Sequence, residues 1–171
     1  YGARPMPAPL AVLLLPERLE EFALAEHARD LLRAPRVIAL EPPRVSWARI
    51  ARFPAALGLR TGIRQAKRLK LTGPARVVIL YDPLQTMLAL GLIARYPEAE
   101  LWYLRAGGPS SAAGPDLAGR AADLEALARR RATLEMSVEE LAPLPPERTW
   151  FDANEPLWDR LEALEIVQFA D

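Results

Sequence analysis

The sequence predicts an α/β domain of three layers on a mostly parallel sheet of five to seven strands, and three observations predict it. Short apolar runs alternate with stretches of helical periodicity, the rhythm of parallel-sheet domains. One run, VVIL at residues 77–80, has no polar residue on either side, as expected of a strand covered on both faces at the centre of such a sheet. The chain has 171 residues, 51% of them hydrophobic, which is enough to fold around one core with neither metal nor disulfide.

The first strand is expected over residues 11–15, AVLLL. The run stops at Pro16 with no small-residue cleavage site, so it reads as a buried strand and not as a signal peptide. Over 17–33, Leu19, Phe22, Ala23, Ala25, Leu31 and Leu32 keep helical spacing, and a second strand follows at 36–40. Residues 45–57 read as irregular, anchored by Trp47 and Phe53. A basic amphipathic helix is expected over 59–71, with Leu59, Ile63, Ala66 and Leu69 or Lys70 on its apolar side. Arg60, Arg64, Lys67 and Arg68 form the other flank. The third strand, 76–81, precedes Asp82-Pro83 and a helix over 84–95.

A fourth strand is expected at 100–104, then a Gly/Ser/Ala-rich loop at 106–114, a helix at 116–131 and a fifth strand at 132–136. Ser137 then caps a short helix through Leu141. Residues 1–142 make up the domain, while 143–171 carry a helix at 155–164 and a strand at 166–169 that close the sheet or lead into a second domain. A chain that begins with Tyr1 in place of Met reads as trimmed, processed or excised from something longer.

Composition narrows the chemistry. The absence of Cys excludes a disulfide framework, a zinc ribbon and a thiol nucleophile. His27 is the single histidine, so a Ser-His-Asp relay has one candidate member, and its mid-helix setting among charged residues reads as a surface position. Glu17, Glu20, Glu21, Glu139 and Glu140 read as helix solvation, so no metal site and no cofactor are expected. Twenty Arg against two Lys, one Asn and 17 Pro suggest a GC-rich coding sequence and a thermophile-like composition. No stretch approaches the ~20 apolar residues of a membrane span, and a cytoplasmic domain is the expectation.

Three constellations carry candidate chemistry. Ligands of open parallel sheets bind beyond the carboxyl ends of the strands, where Asp82 and Arg105 fall. Asp82 is a candidate general base or hydroxyl-holding group with Gln85 one turn on; alternatively it is simply the N-cap of a helix with Pro83 at its first position. The loop at 106–114 precedes a helix as phosphate-binding loops do, yet it has no G-x-G-x-x-G, and Pro115-Asp116 stand where a P-loop needs Lys and Ser or Thr. It reads as a surface loop. The third constellation is charge: residues 44–76 hold nine basic residues and no acid, leaving 13 basic and 22 acidic elsewhere. Such a segment suits an anionic membrane surface or a phosphate backbone, or is a solvated face neutralised by neighbouring segments.

RVIALEPPR at 36–44, RVVILYDPLQ at 76–85 and AELWY at 99–103, followed by TLEMSVEEL at 133–141, resemble the amino-terminal half of bacterial glycosyltransferases of the GT-B fold. The resemblance covers roughly residues 10–142 and implies a Rossmann-like, acceptor-side domain with Asp82, Gln85 and Arg105 lining the acceptor cleft. It implies metal-independent chemistry, with the nucleotide-sugar held mainly by a second Rossmann domain that this chain is too short to contain. The chain alone is therefore expected to be inactive and to work with a donor-binding domain or subunit. An anionic membrane, approached through Arg60, Arg64, Lys67 and Arg68, and a homodimer are further expected partners. The alternative is a non-catalytic Rossmann-like module that uses residues 44–76 to bind a protein, an anionic membrane or nucleic acid, the last disfavoured by the zero net charge.

Overall fold

A computed structural model describes residues 8–14, 36–40, 47–105, 115–137, 159–161 and 163–164. Five strands, β1 (Leu10–Leu14), β2 (Val37–Leu40), β3 (Ala75–Leu80), β4 (Glu100–Arg105) and β5 (Leu134–Ser137), form one sheet in the order β2-β1-β3-β4-β5. Every neighbouring pair is parallel. This is an α/β architecture of the Rossmann-like kind, with β3 at the centre, where its apolar run at 77–80 is buried on both sides.

The strands alternate as their pleat requires. Val12, Leu14, Val78, Leu80, Leu101 and Tyr103 point to one face and share a core with three helices: α2 (Ala55–Arg68), α3 (Thr86–Arg95) and α4 (Pro115–Arg131). A one-turn helix, α1 (Trp47–Ile50), buries Trp47 and Ile50 in the same core. On the other face Ala11, Leu13, Val77, Ile79, Trp102 and Leu104 are equally buried. There Arg160 pairs with Glu100 and Leu161 is buried, so the short helical stretch around them lies close to the start of β4. The helices expected at 17–33 and after Ser137, the loop at 106–114, the strand at 166–169 and His27 lie outside the described residues.

Two expectations need correction. Residues 45–57 are not irregular throughout, for α1 occupies part of them and α2 begins at Ala55. Trp47 is an anchor as expected, but Phe53 is 38% exposed. The basic helix also ends earlier, at Arg68, and is rotated relative to the expected apolar face. Its buried residues are Gly58, Gly62 and Ala66, one every fourth position, whereas Leu59 is 36% exposed.

The reason is close approach. A methyl group on Gly62 would lie 2.0 Å from the Met87 carbonyl oxygen, and one on Gly91 would lie 2.3 Å from the Gly62 carbonyl oxygen. α2 and α3 therefore meet backbone to backbone, and only glycine fits at the crossing. A leucine-faced α2 would have stood farther from α3. Arg95 of α3 fastens the far end by donating from Nη1 to the carbonyl oxygens of Ala66 (2.6 Å) and Leu69 (2.7 Å), where the helix leaves acceptors unsatisfied. Its guanidinium also lies over the Tyr96 ring, 5.0 Å from the centroid.

Candidate functional site

The strand order reverses direction between β1 and β3: the chain first adds β2 on one side of β1, then crosses to the other side. In open parallel sheets the crevice beyond the carboxyl ends at such a reversal is the position in which ligands bind. Tyr81 and Asp82 follow β3 at that point, and Arg105 ends the neighbouring β4.

Asp82 has a clear local task. Its Oδ1 accepts from the Leu84 backbone N–H at 3.0 Å, its carbonyl accepts from the Gln85 N–H at 2.9 Å, and Pro83 occupies the first position of the 3-10 turn Pro83–Gln85. This is the helix-start role that the Asp-Pro pair offers. The expected helix at 84–95 accordingly begins as this tight turn before α3 proper. Thr86 locks the turn by donating from Oγ1 to the Pro83 carbonyl at 2.5 Å, with the Leu124 carbonyl of α4 at 3.4 Å. Gln85 is only 2% exposed, so it belongs to the wall of the edge and not to its open surface.

Around this turn the structure gathers polar groups that the sequence did not single out. Tyr103 donates its hydroxyl to Glu125 Oε2 at 3.0 Å. Arg105 Nε lies 3.0 Å from Glu135 Oε1, and Arg129 Nε reaches the same oxygen at 2.8 Å, so Glu135 is shared by two guanidinium groups. Asp82 and Arg105 both act electrostatically on the Tyr103 hydroxyl, Asp82 holding the proton on and Arg105 drawing it off. Two of the three expected cleft residues thus share one neighbourhood, while Gln85 is buried beside it. Burial is the chief cause that pushes the Tyr103 phenol well above its ordinary range, with Glu125 next. Tyr81 is pushed up by burial alone, and its hydroxyl has no hydrogen-bond partner among the described residues. Both phenols are therefore protonated at neutral pH and are not bases; Tyr103 alone of the two makes a hydrogen bond among the described residues. The signal that could have found Tyr103 and Glu135 is their register: they face each other across β4 and β5, two positions before Arg105 pairs with Ser137 along the strands' common direction.

The basic flank is as exposed as expected. Arg60, Arg64, Lys67 and Arg68 are all on the solvent side of α2. The ion pairs among the described residues join Arg76 to Glu98, Arg105 and Arg129 to Glu135, and Arg160 to Glu100, and none involves these four cations. Beside α2 a groove of about 240 Å³ opens toward α4, floored by Ile50, Gly58, Met87 and Leu124 and edged by Phe53 and Arg120.

No group of three or more His, Asp or Glu residues suited to holding a metal ion occurs among the described residues. No described helix is long and apolar enough to cross a membrane. No protein-family model, no curated protein and no solved structure matches the chain.

Proposed function

We propose that the chain is the acceptor-side half of a GT-B-like glycosyltransferase, inactive without a donor-binding domain or subunit. The observation that carries this reading is the carboxyl edge at the β1/β3 reversal, where Asp82, Arg105 and Tyr103 share one electrostatic neighbourhood. A carboxylate beside a guanidinium suits a hydroxyl-rich acceptor, which both donates and accepts hydrogen bonds, with the buried Tyr103, bonded to Glu125, standing behind them. Asp82 is the candidate general base for the acceptor hydroxyl, with the rigid cap fixing its carboxylate. The nucleotide-sugar comes from the partner domain. Titrating the isotopically labelled chain with saccharide acceptors tests the reading: amide shifts clustered at residues 81–86 and 103–105, lost in Asp82→Asn, are expected. Saccharides that leave this edge unshifted, or that shift Asp82→Asn equally, would refute it.

A second reading is a non-catalytic interaction module that works through residues 44–76. The absence of ion pairs on Arg60, Arg64, Lys67 and Arg68 among the described residues favours it.

A further inference from the structure

We infer that the outer side of the α1–α4 helical layer docks on an anionic phospholipid bilayer, with α2 as its contact ridge and Phe53 and Leu57 as its apolar contacts. This gives the second reading one partner, and it stands whether or not the carboxyl edge takes an acceptor.

The glycine crossing decides which residues are available. Because α2 turns Gly58, Gly62 and Ala66 inward, its opposite side carries Arg60, Arg64, Lys67 and Arg68, with Leu57 among them at the first turn. Leu57 is 48% exposed, the largest value among the big apolar side chains of the described residues, and Phe53 just before the helix is 38% exposed. Trp47 and Ile50, equally apolar and in the same basic segment, are in the core and unavailable. α2 and α4 contribute to the same core, and the groove between them carries Arg120 and Arg130 on its α4 edge, with Asp123 the one acid among its lining residues. The layer therefore presents cations on two helices, with Leu57 among those of α2 and Phe53 at the edge of the groove.

Charge and apolar exposure together select the partner. Lys and Arg side chains gain from the surface potential of anionic lipid, and apolar residues at the same level enter the acyl boundary. A nucleic acid would use the cations and the Phe53 ring, which offers a stacking plane, but would leave Leu57, the most exposed of the large apolar side chains among the described residues, without a role.

The test is co-sedimentation of the full chain with phosphatidylglycerol/phosphatidylcholine vesicles, compared with phosphatidylcholine vesicles alone. Binding to the anionic vesicles only, released by rising salt, is expected. Replacing Arg60, Arg64 and Lys67 together by Ala lowers that affinity by on the order of a hundredfold, and Leu57→Ser lowers it several-fold, with the far-ultraviolet circular dichroism and melting temperature unchanged. The wild-type salt release and the Leu57→Ser variant carry the test even if the triple variant does not fold. No binding to anionic vesicles at low salt, or equal binding to phosphatidylcholine, overturns the inference. If vesicles fail while an oligonucleotide or an acidic protein binds through the same cations, the bilayer is refuted and the interaction-module reading survives; if nothing binds α2, both fall.

Discussion

The α2/α3 crossing and the carboxyl edge of β3 to β5 are held together by opposite means. At the crossing the essential feature is missing matter: Gly62 and Gly91 bring two backbones within reach of each other, and any side chain must push them apart. At the edge the essential feature is added polarity: Asp82 caps a turn, Tyr103 holds Glu125, and Glu135 bridges Arg105 and Arg129. Backbone contact fails steeply, because overlap with a main-chain atom cannot be relieved by changing a rotamer. Polar contact fails gradually, because water and neighbouring groups take over much of what is lost.

The largest expected effect breaks the crossing. Gly62→Leu should destabilise the protein by about 3 kcal/mol or leave it unfolded, read by urea denaturation, whereas Gly119→Ala, on an open stretch of α4 with nothing within 4 Å of the added methyl, should change little or stabilise slightly. A Gly62→Leu protein as stable as the wild type would show that the two helices can separate without loss.

Alkali probes the edge next. The Tyr81 and Tyr103 phenols are raised above their ordinary value of 10.0, so the folded state keeps protons that the unfolded state releases. Their contribution is complete below pH 10.0 and is lost as pH rises above it, at about 1.4 kcal/mol per pH unit for Tyr81. Tyr81→Phe should therefore flatten the alkaline arm of a stability profile while costing nothing near neutrality, since its hydroxyl has no hydrogen-bond partner among the described residues. An unchanged alkaline arm would place the sensitivity elsewhere.

Asp82 sharpens the comparison by separating cap from charge. Asp82→Ala should cost about 1 kcal/mol through the lost cap, and Asp82→Asn close to nothing, since Asn caps as well as Asp does. Equal losses in both would mean that the carboxylate charge, not the cap, holds the turn. The smallest effect is at Glu135, where Glu135→Gln should cost roughly 0.5 kcal/mol because both guanidinium partners are half-exposed. A loss several times larger would show that the shared carboxylate organises the whole edge.

How far the sequence could be read follows the same division. β1, β3 and β4 are legible because their apolar runs are bounded by Pro, Gly and Asp, and the central position of β3 follows from its lack of a polar side. Of the inward face of α2, only Ala66 was legible. Hydrophobicity favours Leu59 and Ile63 as the buried stripe, but the separation of the helices is set by the smallest residues, and periodicity gives glycine no weight. At the edge, the Asp82-Pro83 signal is local and survives intact as a cap. The Tyr103–Glu125 and Arg105–Glu135 pairs join residues from different elements, and only the register of β4 on β5 and the seat of α4 bring them together.

The strand order has a consequence for how the chain folds. β3 pairs with β4 and β4 with β5, so residues 75–137 can assemble from sequence-adjacent strands. β1 and β2 pair across about 26 residues, Ala11 with Val37, but joining that pair to β3 closes a loop of about 65 residues, since Leu10 lies opposite Ala75. Closing that long loop costs entropy before any contact repays it. The middle of the chain should therefore form a nucleus onto which the β1–β2 pair is added late, and pulse-labelled hydrogen exchange should protect the amides of β4 before those through which β1 and β3 bond each other.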